Sequence, residues 1–362
     1  MSVERSRSIL AKCRDAGFAL AGVCDASPTK HAEFLRRWLA DGKHGEMGYL
    51  DEHLAARLDP ELVLPGVRSA VMVADVYHGR NDAPDMPEFG VGRIARYARG
   101  DDYHDTMKRR LRAICDELRE AHPDAGFRVC VDTAPVVERE LAERAGLGWT
   151  GKHTLAIHPV HGSWMLLGGI YTTLELTPPP EQERHADHCG TCTRCIDACP
   201  TEAITPWSVD ATQCISYLTI EHRSAVDDLL HPGMGAWIAG CDVCQEVCPH
   251  NSARPGSTEV ASRHPAYEAR VNGFELLEVL GWDEAGRRGG VRGSSLRRIK
   301  LGMFRRNAAI AAGNAIAADP EHGRSDALRD ALETIERDEA EPVMLRDAAR
   351  ASLARDPGRA GR

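Results

Sequence analysis

Residues 189–200 read C-x2-C-x2-C-x3-C-P, with thiols at Cys189, Cys192, Cys195 and Cys199 and a proline at Pro200. No other feature constrains the fold as much. Three thiols spaced along a tight turn reach three corners of one iron–sulfur cubane, and the fourth, on the helix that follows, points to a second cluster. A second set stands at Cys241, Cys244 and Cys248-Pro249. It lacks one closely spaced thiol, and Cys214, well upstream, can supply it. By cross-ligation, one 4Fe–4S cluster takes Cys189, Cys192, Cys195 and Cys248, and the other takes Cys199, Cys214, Cys241 and Cys244. Two structural zinc sites are the alternative, because C-x2-C pairs also bind zinc. The twin C-P endings and the x3 spacings favour clusters.

The remaining cysteines, Cys13, Cys24, Cys115 and Cys130, sit among apolar neighbours and read as small buried residues. The eight clustered thiols are too closely spaced for a disulfide framework, and the chain has no mark of an oxidising compartment. Residues 1–20 interleave charges with apolar positions, so no secretory signal is expected and the cytoplasm is the expected location. No apolar run has the length of a membrane span. The net charge of −9 argues against a general nucleic-acid binder. Residues 287–306 nevertheless hold eight basic side chains and no acidic one, a local patch suited to phosphates.

A length of 362 residues suggests two or three domains. Apolar residues at helical spacing predict helices over 8–16 and 102–121, and β-rich runs predict strands over 70–76, 128–131 and 163–173. That is an α/β domain over 1–177. Pro178-Pro179-Pro180 marks a linker, the cysteine module follows over 178–256, and Pro255-Gly256 closes it. Helices are expected over 295–318, 325–337 and 341–354, packed antiparallel in a third region, 257–362.

Clusters move electrons, so something else must receive them. The chain has no G-x-G-x-x-G fingerprint and no P-loop. It does carry Gly45-Glu46-Met47, Arg57 ahead of Leu64-Pro65-Gly66, and Arg96-Tyr97-Ala98-Arg99-Gly100 with Asp102-Tyr103-His104. Val131-Asp132-Thr133-Ala134-Pro135 leads into residues 143–153, ending at Lys152-His153. Further on stand Cys214-Ile215-Ser216-Tyr217, Gly240-Cys241-Asp242, Gly293-Ser294-Ser295-Leu296-Arg297-Arg298 and Arg306-Asn307. In this set, across nearly its whole length, the chain resembles the epoxyqueuosine reductases, cobalamin-dependent enzymes of queuosine synthesis in tRNA.

The resemblance implies a nitroreductase-like α/β domain holding cobalamin, a double 4Fe–4S ferredoxin-like module, and a C-terminal α-helical HEAT-like domain that binds tRNA. It implies reduction of epoxyqueuosine to queuosine at the wobble position of tRNAs with a GUN anticodon. An external electron donor would feed the clusters, and a monomer is expected. Asp132 alone reads as a helix N-cap. The resemblance places the proton donor on it, and a carboxyl in an apolar pocket would be raised enough to hold a proton. Arg57, Tyr97, Asp132, Lys152, His153, Ala156, Ser216 and Asp242 are the expected cobalamin contacts. His53 and His104 follow an aspartate as in D-x-H-x-x-G, but Ala56 and Met107 replace its glycine, so no histidine ligand to cobalt is expected. Arg297, Arg298, Lys300, Arg305, Arg306 and Asn307 are expected to contact tRNA, with 297, 298, 305 and 306 returning to one side of a helix. Three other readings are a reductive dehalogenase-like enzyme, which pairs the same cofactors, a plain electron carrier, and a tRNA-binding protein with structural clusters. The first is commonly exported, and the second leaves the first 170 or so residues unexplained.

Overall fold

The computed structural model describes residues 2–80, 82, 85, 88–252 and 263–358. Pro255-Gly256, and with it the expected boundary at 256, lies outside the described residues.

The N-terminal part is built on four strands in the order Leu20–Asp25, Ser69–Val76, Met165–Thr172, Phe127–Cys130, all antiparallel. Ser69–Val76 is buried along its whole length. Successive side chains of a strand point to opposite faces. Val71 and Val73 therefore enter the core with Met107, Leu111 and Ile114 of the helix Tyr103–Ala121 and Ile9 of the helix Ser2–Asp15. Ala70, Met72 and Ala74 enter the core on the other face with Leu141 and Ala142 of the helix Glu138–Arg144. A strand covered on both faces reads as a continuous apolar run, which is why it was legible. The expected helices and strands of this part are present. The helix Ala32–Ala40 and the strand Leu20–Asp25 were not anticipated.

The strand Val91–Ile94 pairs in parallel with Trp237–Ala239 and antiparallel with Gly273–Glu275. One small sheet thus joins segments from all three expected regions. A single hydrophobic core likewise runs from Ile94 through Ile215, Leu218 and Ile238 to Phe304, Ile310 and Leu345. It crosses the expected boundaries, so the cysteine module and the C-terminal helices are not separately cored.

The last helices are Leu301–Ala318, Ser325–Arg337 and Val343–Ala354, packed on one another. The expected helix over 295–318 is broken. Ser294 caps a short 3-10 turn, Ser295–Arg298, through Leu296 N–H. Ile299 and Lys300 are then extended, with Ile299 fully buried. Arg297 and Arg298 are therefore not on the helix that carries Arg305 and Arg306. Among the described residues no helix is long and apolar enough to cross a membrane.

Candidate active site and cluster module

The eight thiols fall into two groups. Burial pushes Cys248 up to about 11, and Cys189, Cys195 and Cys192 add to the rise. Burial likewise raises Cys241 and Cys244. Cys214 and Cys199 act on Cys241, and Cys241 and Cys214 act on Cys244. Cys195 also reaches Cys244, so the two groups lie side by side. These are the sets that cross-ligation requires. Among the described residues no three of His, Cys, Asp and Glu converge on a point where one ion would sit. Cys13, Cys24, Cys115 and Cys130 are buried, as expected.

Local backbone fixes the second group. Gly240 has φ +75°, and a Cβ there would lie 2.5 Å from the Ala95 Cβ, so the chain can approach the Val91–Ile94 strand just before Cys241. Its N–H donates to Thr219 Oγ1 at 2.8 Å. Cys214 stands at the start of the helix Ile215–Ile220, held against the Gly45 turn. There Glu46 N–H donates to the Tyr217 hydroxyl at 2.6 Å, and a Cβ on Gly45 would collide with that hydroxyl.

A cleft of about 540 Å³ opens between the sheet domain and the cysteine module. All four thiols of the second group line it, and none of the first group does. Tyr97, Asp132, His153, Ala156, Ser216 and Asp242 of the expected cofactor set also line it. His153 accepts Leu155 N–H at Nδ1, which puts its ring proton on Nε2. That Nε2 is buried without a partner. Burial lowers His153 to about 4, so it is a neutral donor aimed into the cleft. Ser295 Oγ and Arg57 Nε are also buried without partners. Arg57 itself stands beside the cleft wall, within charge range of Asp132 and Glu138. Asp242, 1% exposed, accepts Arg96 N–H at 2.8 Å, and burial raises it to about 6.

Lys152 is a correction. It is turned away from the cleft, and its Nζ donates to the carbonyls of Gly190 at 2.7 Å and Cys192 at 3.0 Å. It fixes the loop of the first thiol group. The reason is geometric: the residue after Gly151 faces the cysteine turn, and the next one, His153, faces the cleft.

Asp132 is not an N-cap, because the next helix starts at Glu138 with Val137 before it. Its backbone has φ +49°, in the left-handed region. Its side chain faces the cleft, where Oδ2 meets His104 Nε2 at 2.9 Å. His104 Nδ1 meets Asp102 Oδ1 at 2.7 Å, and Arg297 donates to Asp102 Oδ2 at 2.7 Å. Tyr103 stacks on His104, with ring centroids 4.0 Å apart. Burial lowers His104, but its hydrogen bonds to Asp102 and Asp132 outweigh that and raise it to about 9. Burial raises Asp132, yet the His104 bond, the charges of His104 and Arg298, and the Tyr103 hydroxyl bring it below the ordinary carboxylate value. The expectation of a raised Asp132 is thus corrected. The proton resides on His104, and the raised carboxyl beside this pair is Glu138, which burial and then the Asp132 charge push up to about 8. His104 and Glu138 were missed as site residues. Asp102-Tyr103-His104 at a helix start was the available signal for the first.

The expected tRNA residues divide. Arg297, Arg298 and Lys300 are exposed, and Arg298 lines the cleft and meets Glu221 at 2.6 Å. Arg305 is turned inward, donating to Leu280 O and to Glu341. Arg306 and Asn307 are fully buried. Arg306 donates to the carbonyls of Leu218, His222 and Ser224, and Asn307 Nδ2 donates to those of Thr219 and Ile238. Arg306 and Asn307 bind the last helices to the cysteine module, Arg305 ties the helix Leu301–Ala318 to Leu280 and Glu341, and all three are engaged inside the protein.

The family described as epoxyqueuosine reductase QueG, DUF1730 matches residues 57–133, and the 4Fe-4S double cluster binding domain matches residues 188–251. A protein of Alicycliphilus denitrificans named epoxyqueuosine reductase is 40% identical over 333 residues, covering 89% of this chain and 90% of its own length. The chain belongs to the epoxyqueuosine reductase family. It is accordingly an oxidoreductase with a double 4Fe–4S domain. A solved epoxyqueuosine reductase with an epoxyqueuosine-modified tRNA-Tyr stem loop is 26% identical, with a TM-score of 0.80 over 99% of this chain and 92% of that one. The Bacillus subtilis epoxyqueuosine reductase, solved with its catalytic aspartate loop swung out of the active site, is 25% identical over the same shares, with a TM-score of 0.81.

Proposed function

We propose that this enzyme reduces the epoxide of epoxyqueuosine, at the wobble position of tRNAs with a GUN anticodon, to the alkene of queuosine. One observation carries the reading: the four thiols of the second group and the Asp132–His104 pair line one cleft. An epoxide, two electrons and two protons give an alkene and water, so the cleft must bring electrons and protons to one place.

Cys189, Cys192, Cys195 and Cys248 would hold the cluster that an external donor reduces. Cys199, Cys214, Cys241 and Cys244 would hold the cluster at the cleft wall. The cleft fits cobalamin: Met47, Tyr77, Tyr97, Leu166 and Ile215 give an apolar wall, and His153 and Ser295 offer buried polar atoms that lack partners. Bound there, cobalamin would supply a reducible cobalt centre that accepts single electrons and delivers two to the epoxide. His153, Ser216, Ala156, Tyr97 and Asp242 would contact it, with Arg57 beside them. No cobalt-binding histidine is proposed, since His153 keeps its ring proton on the nitrogen that faces the cleft.

The His104–Asp132 pair holds the proton for the departing oxygen. His104 keeps it at neutral pH, and Asp132, 43% exposed to the cleft, passes it on. The aspartate loop of the Bacillus subtilis protein can leave its active site, which supports the same role for residues 132–137. Arg297, Arg298 and Lys300 would hold tRNA phosphates at the mouth. We further propose the nitroreductase-like and HEAT-like assignments of the first and last regions, a monomer, and a cytoplasmic site of action. The test is to reconstitute the enzyme with iron, sulfide and cobalamin, reduce it, and add tRNA bearing epoxyqueuosine. Nucleoside mass spectrometry should show loss of one oxygen atom, and an unchanged nucleoside would refute the reading.

A further inference from the structure

Asp132 occupies a backbone conformation that L-residues rarely adopt, at φ +49°. The segment after it, to Val137, makes no regular ladder. Its bonds include tight turns from Thr133 N–H and Oγ1 to Val131 O and from Val136 N–H to Ala134 O, Lys108 Nζ to Thr133 Oγ1, a long contact from Arg57 to Val136 O, and, at its end, Leu141 N–H to Val137 O. The Asp132 N–H itself donates to Glu138 Oε1 at 2.7 Å. Glu138 is the first residue of a helix whose Leu141 and Ala142 are set in the core under the sheet. The side chain therefore reaches back across six residues from a fixed element to a strained one. Helix-start glutamates do this to cap a helix, but the Glu138 acceptor serves an amide outside the helix.

We propose that Glu138 is a positioning residue: its carboxyl oxygen latches the Asp132 amide and so holds the Asp132 carboxylate against His104 and the cleft. Without the latch, the 132–137 segment is free to swing away from the site. The Asp132–His104 contact depends on that backbone angle, because turning Asp132 out of the left-handed region redirects its side chain. The latch needs an acceptor at Oε1 and not a particular protonation state. The functional half of this inference rests on the proposed role of Asp132 in proton delivery.

The test uses the holoenzyme with both clusters and cobalamin, as wild type, Glu138→Gln and Glu138→Met. Glutamine keeps the acceptor, whereas methionine keeps the bulk and loses it. Hydrogen exchange of a peptide covering 131–138, read without tRNA, should stay protected in Glu138→Gln and speed up about tenfold or more in Glu138→Met. With tRNA substrate, kcat of Glu138→Met should fall about tenfold to a hundredfold at unchanged KM, and Glu138→Gln should rescue it to within about threefold. Cluster absorbance and Tm serve as folding controls. Unchanged exchange in Glu138→Met overturns the latch. Loss of protection in Glu138→Gln relative to wild type also overturns it, and that arm stands even if the methionine variant misfolds. Lost protection with full kcat would leave the latch standing and instead sink the proton-delivery role of Asp132.

Discussion

Replacing Arg306 by glutamine separates a phosphate contact from a structural rivet. In the sequence Arg306 belongs to a one-signed basic run, and in the structure it is fully buried. Its guanidinium serves three backbone carbonyls, at Leu218, His222 and Ser224, and the Asn307 Oδ1. Glutamine is shorter and has two N–H donors, so it can satisfy two of these four acceptors at most. Each buried acceptor left unpaired costs about 1–3 kcal/mol, partly offset because a buried cation is also removed. Burial lowers the Arg306 pKa to about 10, so that offset is real. We take the net loss as about 3 kcal/mol. Unfolding entropy of roughly 2.1 cal/mol/K per residue over 362 residues is about 0.8 kcal/mol per degree. Arg306→Gln should therefore lower Tm by about 4 °C if the chain unfolds as one unit. Thermal unfolding by circular dichroism measures this. In parallel, tRNA affinity across a salt series should keep its wild-type slope. A Tm within about 1 °C of wild type, with a salt slope reduced by nearly one, would refute the burial argument and restore Arg306 as a phosphate ligand.

Three further outcomes are expected. Cys214→Ala should damage only the cluster held by Cys199, Cys241 and Cys244, giving roughly half the iron and one altered electron paramagnetic resonance signal; two intact clusters would remove Cys214 from the ligand set. His104 has its pKa raised, so it holds its proton through neutral pH and releases it as pH rises through about 9. Wild-type turnover should fall over that window, and Asp132→Asn or His104→Gln should lose about a hundredfold to ten-thousandfold while still binding cobalamin; wild-type rates in either variant would end the relay. Arg298→Gln with Lys300→Gln should weaken tRNA binding and reduce its salt slope by about one to two; filter binding at several salt concentrations decides it.

The sequence alone determined the chemistry of the cysteine module. Its spacing is largely local, and a turn two or three residues long leaves thiols few places to go, so a double-cluster module was readable before any fold was known, whereas Cys214 lies outside that local spacing. The fully buried strand Ser69–Val76 and the helix Tyr103–Ala121 were readable too, because burial on two faces or on one stripe writes its own period. What the sequence could not carry was which polar side chains turn inward. Arg298 and Arg306 look alike in a basic run. They differ because Ser294 and Ile299 end one turn before the next helix begins, and because that helix packs on backbone carbonyls more than eighty residues upstream. Protonation was equally a tertiary matter. An aspartate in an apolar pocket should be raised, but Asp132 meets an imidazolium held by Asp102 and Arg297, and the rise falls on Glu138 instead. Charges act through space over a few ångströms, and only the folded chain decides which charges those are.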